Sequence, residues 1–190
     1  MGDSFIRWYR EVELGSVFSD QVAEFGRFGI SLTHPVTNVV TLVNVDGDDI
    51  TVGLEELTWL IGLRIPSVTV NWWMSPDVSV LSTYSNEPLG CEVQTLWLDG
   101  LNPEEAEVVH AATLSTVNRV PAGTRALLSD TQGRTDAESW DSVILHGGCE
   151  IPGEIDSLLL SADISRRLLS GSVHLRGREV SQTLTRVLSM

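Results

Sequence analysis

The sequence predicts an α+β fold: an antiparallel sheet of hairpins packed against helices within a single domain. Apolar and polar residues alternate along residues 68–98, helical spacing occurs elsewhere, and strands do not alternate regularly with helices as parallel sheets require. The length of 190 residues suits one domain. Within it we distinguish an N-terminal helical segment (1–30), a core (36–146) and a basic C-terminal extension (150–190).

The first sixty residues predict helices around a hairpin. Apolar residues spaced by three, four and seven between positions 4 and 28 predict one or two amphipathic helices, interrupted near Gly15. β-branched residues predict a strand over 36–45, and Asp46-Gly47 is a hairpin turn signal before a partner strand at 50–52. A short helix is then predicted over 54–63.

Residues 68–98 give the clearest β pattern. Alternation over 68–74, the turn Ser75-Pro76-Asp77 and a returning apolar run over 78–84 predict a hairpin. A turn at residues 87–90 leads to a third strand over 91–98, so the region is expected to form an antiparallel meander.

The remaining elements follow from caps and spacing. Asn102, Pro103 and two glutamates are typical of a helix start, and this helix is expected to end before Pro121. A strand is predicted over 124–129, a short helix capped by Asp136, and a strand over 155–160. Helical spacing predicts a terminal helix through four apolar residues, Val180, Leu184, Val187 and Leu188.

Charge is abundant and uneven. The formal net charge is −14, and all twelve basic residues are arginine. Such a charge disfavours direct binding of nucleic acid or of an anionic membrane surface, and it favours a basic protein partner, although acidity also keeps a protein soluble. Residues 164–190, in contrast, contain five arginines and one acid. We expect this basic segment to dock onto the acidic body or onto another acidic surface.

Motifs that carry chemistry are missing from the sequence. The acidic stretch from Asp46 lacks the glycine and glutamate positions of a calcium loop, so a hairpin turn is the better interpretation. Glu107 and His110, three residues apart on a predicted helix, are the minimum for an acid–base pair, but a solvated helical face explains them equally well. We therefore predict no catalytic residues, no metal site and no cofactor.

The cysteines and the hydropathy pattern favour a cytoplasmic protein. Cys91 and Cys149 are isolated, outside any metal-binding spacing, and we expect both to be buried free thiols. Residues 1–15 lack the apolar region of a signal peptide, and apolar runs are shorter than a membrane span requires.

Adjacent Trp72 and Trp73 lie on a predicted strand and should point to opposite faces of the sheet. An outward tryptophan near acids is typical of a binding anchor. Alternatively, helices cover both faces and both rings pack inside.

Three segments resemble small acidic actinobacterial immunity-type proteins of toxin/immunity systems. They are residues 70–84 (VNWWMSPDVSVLSTY), a Trp-containing hairpin; 98–113 (LDGLNPEEAEVVHAAT), a "DGL" turn and acidic helix start; and 127–144 (LLSDTQGRTDAESWDSVI), a strand, turn and "W-D" segment. The resemblance implies a non-enzymatic protein that neutralises a cognate toxin by occluding it.

We therefore predict an immunity-like inhibitor that binds a basic effector protein. The candidate contact residues are one tryptophan and four acids: Trp73, Asp77, Glu87, Glu104 and Glu105. One alternative is a structural or assembly subunit of a larger phage or secretion particle, with the arginine-rich segment packed against an acidic neighbour. The other is an enzyme with a site built from scattered residues.

Overall fold

The computed structural model describes residues 2–11, 14–63, 65–87, 90–120, 123–171, 174–181 and 183–189. Among them, ten strands form one antiparallel sheet. The strands are β1 (Phe5–Arg10), β2 (Val40–Val43), β3 (Asp49–Val52), β4 (Ser67–Ser75), β5 (Val78–Glu87), β6 (Cys91–Trp97), β7 (Thr124–Asp130), β8 (Ser157–Ser161), β9 (Leu175–Glu179) and β10 (Leu184–Ser189). The helices are α1 (Leu14–Arg27), α2 (Leu54–Gly62), α3 (Pro103–Arg119), α4 (Asp141–Ile144) and α5 (Ala162–Gly171). The predicted α+β class is confirmed.

The strand order is β3-β2-β4-β5-β6-β1-β7-β8-β10-β9, and each described neighbour pair is antiparallel. The first strand of the chain lies in the middle, paired on one side with β6 and on the other with β7. It therefore joins a five-strand unit, β2–β6, to a four-strand unit, β7–β10.

The predicted helix at the very N-terminus is wrong in its first half, because residues 5–10 are the strand β1. All six of its residues are buried. Phe5 and Trp8, three positions apart, project to opposite faces of the sheet and belong to different apolar clusters. Spacing by three, which suggested a helix, here comes from a strand covered on both sides. The second half of the predicted segment is the helix α1.

The predicted meander is confirmed in β4, β5 and β6. In its two strand pairs, Val70 lies opposite Ser82 and Thr83 lies opposite Thr95. The predicted hairpin around Asp46-Gly47 is formed by β2 and β3, and Gly47 has the left-handed φ of +86° that this turn needs.

Helices cover both faces of the sheet. On the first face, α1, α2 and α3 bury apolar side chains against a cluster that includes Ile6, Trp8 and Trp72. On the second face, α4 and α5 pack on a cluster that includes Phe5, Tyr9 and other side chains. Trp72 is completely buried in the cluster of the first face, whereas its neighbour Trp73 is half-buried.

The helix α3 begins as its sequence predicts. The Asn102 side chain accepts hydrogen bonds from the backbone N–H groups of Glu104 and Glu105, both at 3.0 Å. Lower on the helix, Ser115 and Arg119 contact Glu24 of α1, at 3.0 Å and 2.9 Å. These polar contacts fix α1 against α3 above the first face.

The predicted terminal helix is wrong: Leu184 and Val187 lie on the strand β10. Leu184 belongs to the apolar cluster of the first face and Val187 to that of the second. As in β1, apolar residues three positions apart mark a strand that is buried on both faces, although the same spacing is typical of a helix. Residues 150–190 thus contribute three strands, β8, β9 and β10, to the common sheet.

Two arginines of β1 lie inside the protein. On the second face, the Arg7 guanidinium donates to both Asp141 carboxylate oxygens at 2.9 Å and to Thr95 Oγ1 at 2.7 Å. The Tyr9 hydroxyl donates to Asp141 Oδ1 at 2.7 Å. Since Asp141 begins α4, this network attaches that helix to the central strand.

On the first face, Arg10 is completely buried beneath α1. Its Nη1 donates to Gln94 Oε1 at 3.3 Å, and its guanidinium lies 4.4 Å from the centre of the Trp8 ring. Burial lowers the pKa of Arg10 to about 10, while the charges of Tyr84 and Glu92 act in the opposite direction.

We expect Asp141→Ala to lower the free energy of unfolding by about 3 kcal/mol, because it leaves the buried Arg7 charge without its carboxylate. Urea unfolding followed by circular dichroism measures this loss. The matched control is Glu138→Ala at an exposed position of the preceding turn, with an expected change within about 0.5 kcal/mol. Equal effects of the two substitutions would show that the Arg7–Asp141 pair does not stabilise the fold.

Candidate protein-binding surface

Trp73, the predicted aromatic anchor, is half-buried. Its backbone exchanges two hydrogen bonds with Ser31, at 2.8 and 2.6 Å, and its ring lies edge-on to His34 with 4.4 Å between ring centres. Residues 31–34 therefore lie against this side of β4. The ring is mainly occupied by contacts within the chain.

The four predicted contact acids are dispersed. Asp77 lies in the turn before β5 and Glu87 is the last residue of β5. A strand of this length separates its two ends by roughly 30 Å, since each residue rises about 3.3 Å. Asp77 and Glu87 thus lie at opposite ends of the same hairpin.

Glu104 and Glu105 lie at the start of α3, and they differ in role. The Glu105 carboxylate accepts a hydrogen bond at 2.8 Å from the backbone N–H of Asn102, which completes a capping box. Glu104 is exposed. Since Asp77 and Glu87 already lie at opposite ends of the hairpin, the five predicted residues are not gathered in one compact patch.

The acid–base alternative, Glu107 with His110, lies on α3, where Glu107 is exposed and His110 is half-buried. In the part of the chain that the structure describes, groups of three or more His, Cys, Asp or Glu side chains close enough to share a metal ion are absent.

A cavity of about 270 Å³ opens on the second face. Its walls include Trp140, Leu158 and Val187, with Cys149 and Glu154 as its ionisable members. Cys149 is a free, exposed thiol, contrary to the prediction that both cysteines are buried, whereas Cys91 is free and buried as predicted. Among the described residues, the lining of this cavity is mainly apolar.

Sequence reasoning overlooked a second tryptophan, Trp59 on α2. This helix begins after Gly53 and is anchored on the first face by Leu57 and Ile61, which are 0% and 2% exposed. Trp59 follows Leu57 by two positions, roughly 200° around the helix, so it projects away from the core. Its side chain is 62% exposed, the largest exposed aromatic surface among the described residues.

An apolar neighbour and two acids share the outward side of α2 with Trp59. Leu63, four positions further along, is 49% exposed. Glu55 and Glu56, four and three positions before Trp59, are exposed in the first turn. Residues three and four apart on a helix are neighbours on its surface. We refer to Glu55, Glu56, Trp59 and Leu63 as the Trp59 patch.

The hairpin that leads into α2 extends this acidic character. Asn44 Oδ1 accepts hydrogen bonds from the backbone N–H groups of Asp46 and Asp48, at 2.9 and 2.8 Å, and thereby fixes the turn. Asp49 and Ile50 are exposed on the edge strand β3. Residues 28–63 contain five acids and no arginine, so the whole segment is locally negative.

Comparisons with protein-family models, with curated proteins and with solved structures find no match to this chain. The resemblance to immunity-type proteins therefore stays a prediction. Over the described residues, none of the helices combines the length and the apolar character needed to cross a membrane.

The exposure of Trp59 predicts how dissolved quenchers reduce the tryptophan fluorescence of the protein. Trp8, Trp72 and Trp140 are at most 1% exposed, and Trp73 and Trp97 are half-buried. We expect Trp59→Phe to remove most of the tryptophan fluorescence that dissolved quenchers reach, whereas Trp97→Phe should leave it nearly unchanged. Relative to their quenching of free tryptophan in the same buffer, caesium should be favoured over iodide at low salt, because Glu55 and Glu56 attract the cation.

The charge effect needs its own control, since the whole protein is acidic. The double substitution Glu55→Gln with Glu56→Gln should reduce the preference for quenching by caesium over iodide. Asp77→Asn with Glu87→Gln changes the net charge equally and should reduce this preference less. If both double substitutions reduce the preference to the same extent, the local field at Trp59 does not come from the two α2 glutamates.

Proposed function

We propose that this protein is a non-enzymatic binding module that occludes a basic protein partner, in the manner of an immunity-like inhibitor, and that the Trp59 patch is its contact surface. The observation that carries the proposal is Trp59, 62% exposed at the centre of the outward side of a helix whose other side is firmly buried. Tryptophan is among the residues most enriched where binding energy concentrates.

The surroundings of Trp59 favour a basic partner. Glu55 and Glu56 lie within one helical turn of the ring, and Asp48 and Asp49 precede them on the hairpin. Acids of this density attract a positively charged protein and orient its approach, while the exposed apolar side chains supply contact area. The partner surface that fits best is therefore an apolar pocket surrounded by lysine or arginine.

The support of the helix suits such a contact. Leu57 and Ile61 hold α2 against the sheet, and α2 also packs beside α1. A side chain presented by a rigid helix loses little conformational freedom when a partner binds, which favours affinity.

The test begins with capture from lysate of the source cells at moderate salt, with the wild-type protein immobilised and the retained proteins identified by mass spectrometry. The strongest retained basic protein is then purified and titrated by calorimetry. We expect Trp59→Ala to weaken its binding about 30-fold, as a central anchor worth about 2 kcal/mol would. Because Trp59 is exposed, this substitution should change stability by at most about 0.5 kcal/mol.

Matched controls separate this surface from the rest of the acidic body. Glu55→Arg with Glu56→Arg should slow association and reduce its dependence on salt. Asp77→Arg with Glu87→Arg makes the same change in net charge at other exposed or half-exposed positions and should have a much smaller effect. Binding that survives Trp59→Ala and responds equally to both charge reversals would rule out the Trp59 patch.

A further inference from the structure

The two edges of the sheet carry opposite charges. One edge is β3, followed by the first turn of α2; its acids are Asp46, Asp48, Asp49, Glu55 and Glu56, and we call it the acidic edge. The other is β9, supported by β10; its arginines are Arg176, Arg178 and Arg186, and we call it the basic edge. In β9 itself, Arg176 and Arg178 are exposed, and the exposed acid Glu179 projects to the second face, opposite to the arginines.

The basic edge cannot reach the acidic edge of its own molecule. Nine strand spacings of about 4.8 Å separate β3 from β9, a distance of roughly 43 Å, whereas charges are screened beyond about 8 Å at physiological salt. The strands of the basic segment are therefore fixed at the far side of the sheet from the acidic edge of the same molecule. A separate molecule has to supply the acids.

We propose that the basic edge of one copy binds the acidic edge of a second copy, so that the chain assembles head to tail. Strand edges with free backbone groups are templates for pairing, and proteins often protect them with charged side chains. Charged side chains keep two edges apart when both edges carry the same sign, because like charges repel. Here the two edges carry opposite signs, so their side chains attract each other.

The strand order allows the sheet to continue without turning the second copy over. Ten strands alternate in direction across the sheet, and because ten is even, β3 and β9 run in opposite directions. A copy displaced along the sheet therefore brings its β3 antiparallel to β9 of the first. The first faces of both copies then lie on the same side.

Side-chain positions on that shared side are complementary. Arg178 is paired directly with Arg186, and Arg176 with Leu188, which puts the three arginines on the first face. The helix α2 covers the first face of the second copy, starting at the end of its β3. Antiparallel pairing brings the start of β9, with Arg176, beside the end of β3, where Glu55 and Glu56 lie.

The exposed apolar side chains on this side add to the contact. Ile50 is opposite Leu42 in the β2–β3 register and so projects to the first face, where it is 46% exposed. Leu188 on β10 is 48% exposed on the same face. Because the two edges differ, the contact is heterologous, and repeating it gives an open row or a ring.

Two variants that each lose one edge test the proposal. Glu55→Gln with Glu56→Gln weakens the acidic edge, and Arg176→Gln with Arg178→Gln weakens the basic edge, and neither pair creates a new charge that the other damaged edge could attract. At about 0.02 M salt we expect sedimentation velocity to show wild-type oligomers that grow with micromolar concentration and dissociate at about 0.5 M salt. Each variant alone should be monomeric, and an equal mixture of the two should give a dimer and nothing larger, since only one intact pair of edges remains.

Three outcomes would overturn the proposal: a wild-type protein that stays monomeric at low salt, a variant that still self-associates as the wild type does, or a mixture that gives no dimer. Circular dichroism of each variant confirms that it is folded. The basic-edge variant also separates this inference from the proposed function, because it keeps the Trp59 patch intact and should bind the basic partner at least as tightly as the wild type does. Loss of self-association with intact partner binding would therefore leave the Trp59 patch unaffected.

Discussion

Burial of β1 on both faces is the constraint on which the rest of the sheet depends. In the described sheet, this strand lies between the five-strand unit and the four-strand unit and pairs with both, through β6 and β7. Because β1 lies in the middle of the sheet, all six of its side chains (FIRWYR) must pack inside the protein. Arg7 meets this requirement through Asp141, Thr95 and Tyr9, so the same network that neutralises a buried charge also holds α4 on the second face.

Sequence reasoning succeeded where a strand has one buried face or a helix has a complete cap. β4 and β5 alternate in burial, and Asn102 with Glu105 forms the capping box that starts α3. It failed for β1 and β10, which are buried on both faces. In β1, Arg7 and Arg10 interrupt the apolar residues, and the local sequence does not reveal that a distant Asp141 or Gln94 will bind a buried guanidinium.

The contact surface was harder to predict than the fold. Asp77 and Glu87 are close in sequence, yet a ten-residue strand separates them. Trp73 was predicted as an anchor because it is part of a tryptophan pair. The residues that contact it, Ser31 and His34, come from a distant loop, and the sequence around Trp73 does not reveal where that loop lies. Trp59 was recognisable in principle, since it lies opposite Leu57 and Ile61 on a predicted amphipathic helix.

The two proposed contacts use the same acids. Glu55 and Glu56 belong both to the Trp59 patch and to the acidic edge, so a basic partner and the basic edge of another copy compete for one surface. The contact between copies would then protect the exposed Trp59 and Ile50 whenever the partner is scarce. On these two proposals, a partner with higher positive charge than three arginines would displace the neighbouring copy, because electrostatic attraction scales with the charges that meet. Self-association and partner binding would then be alternative states of the same edge, and salt would weaken both.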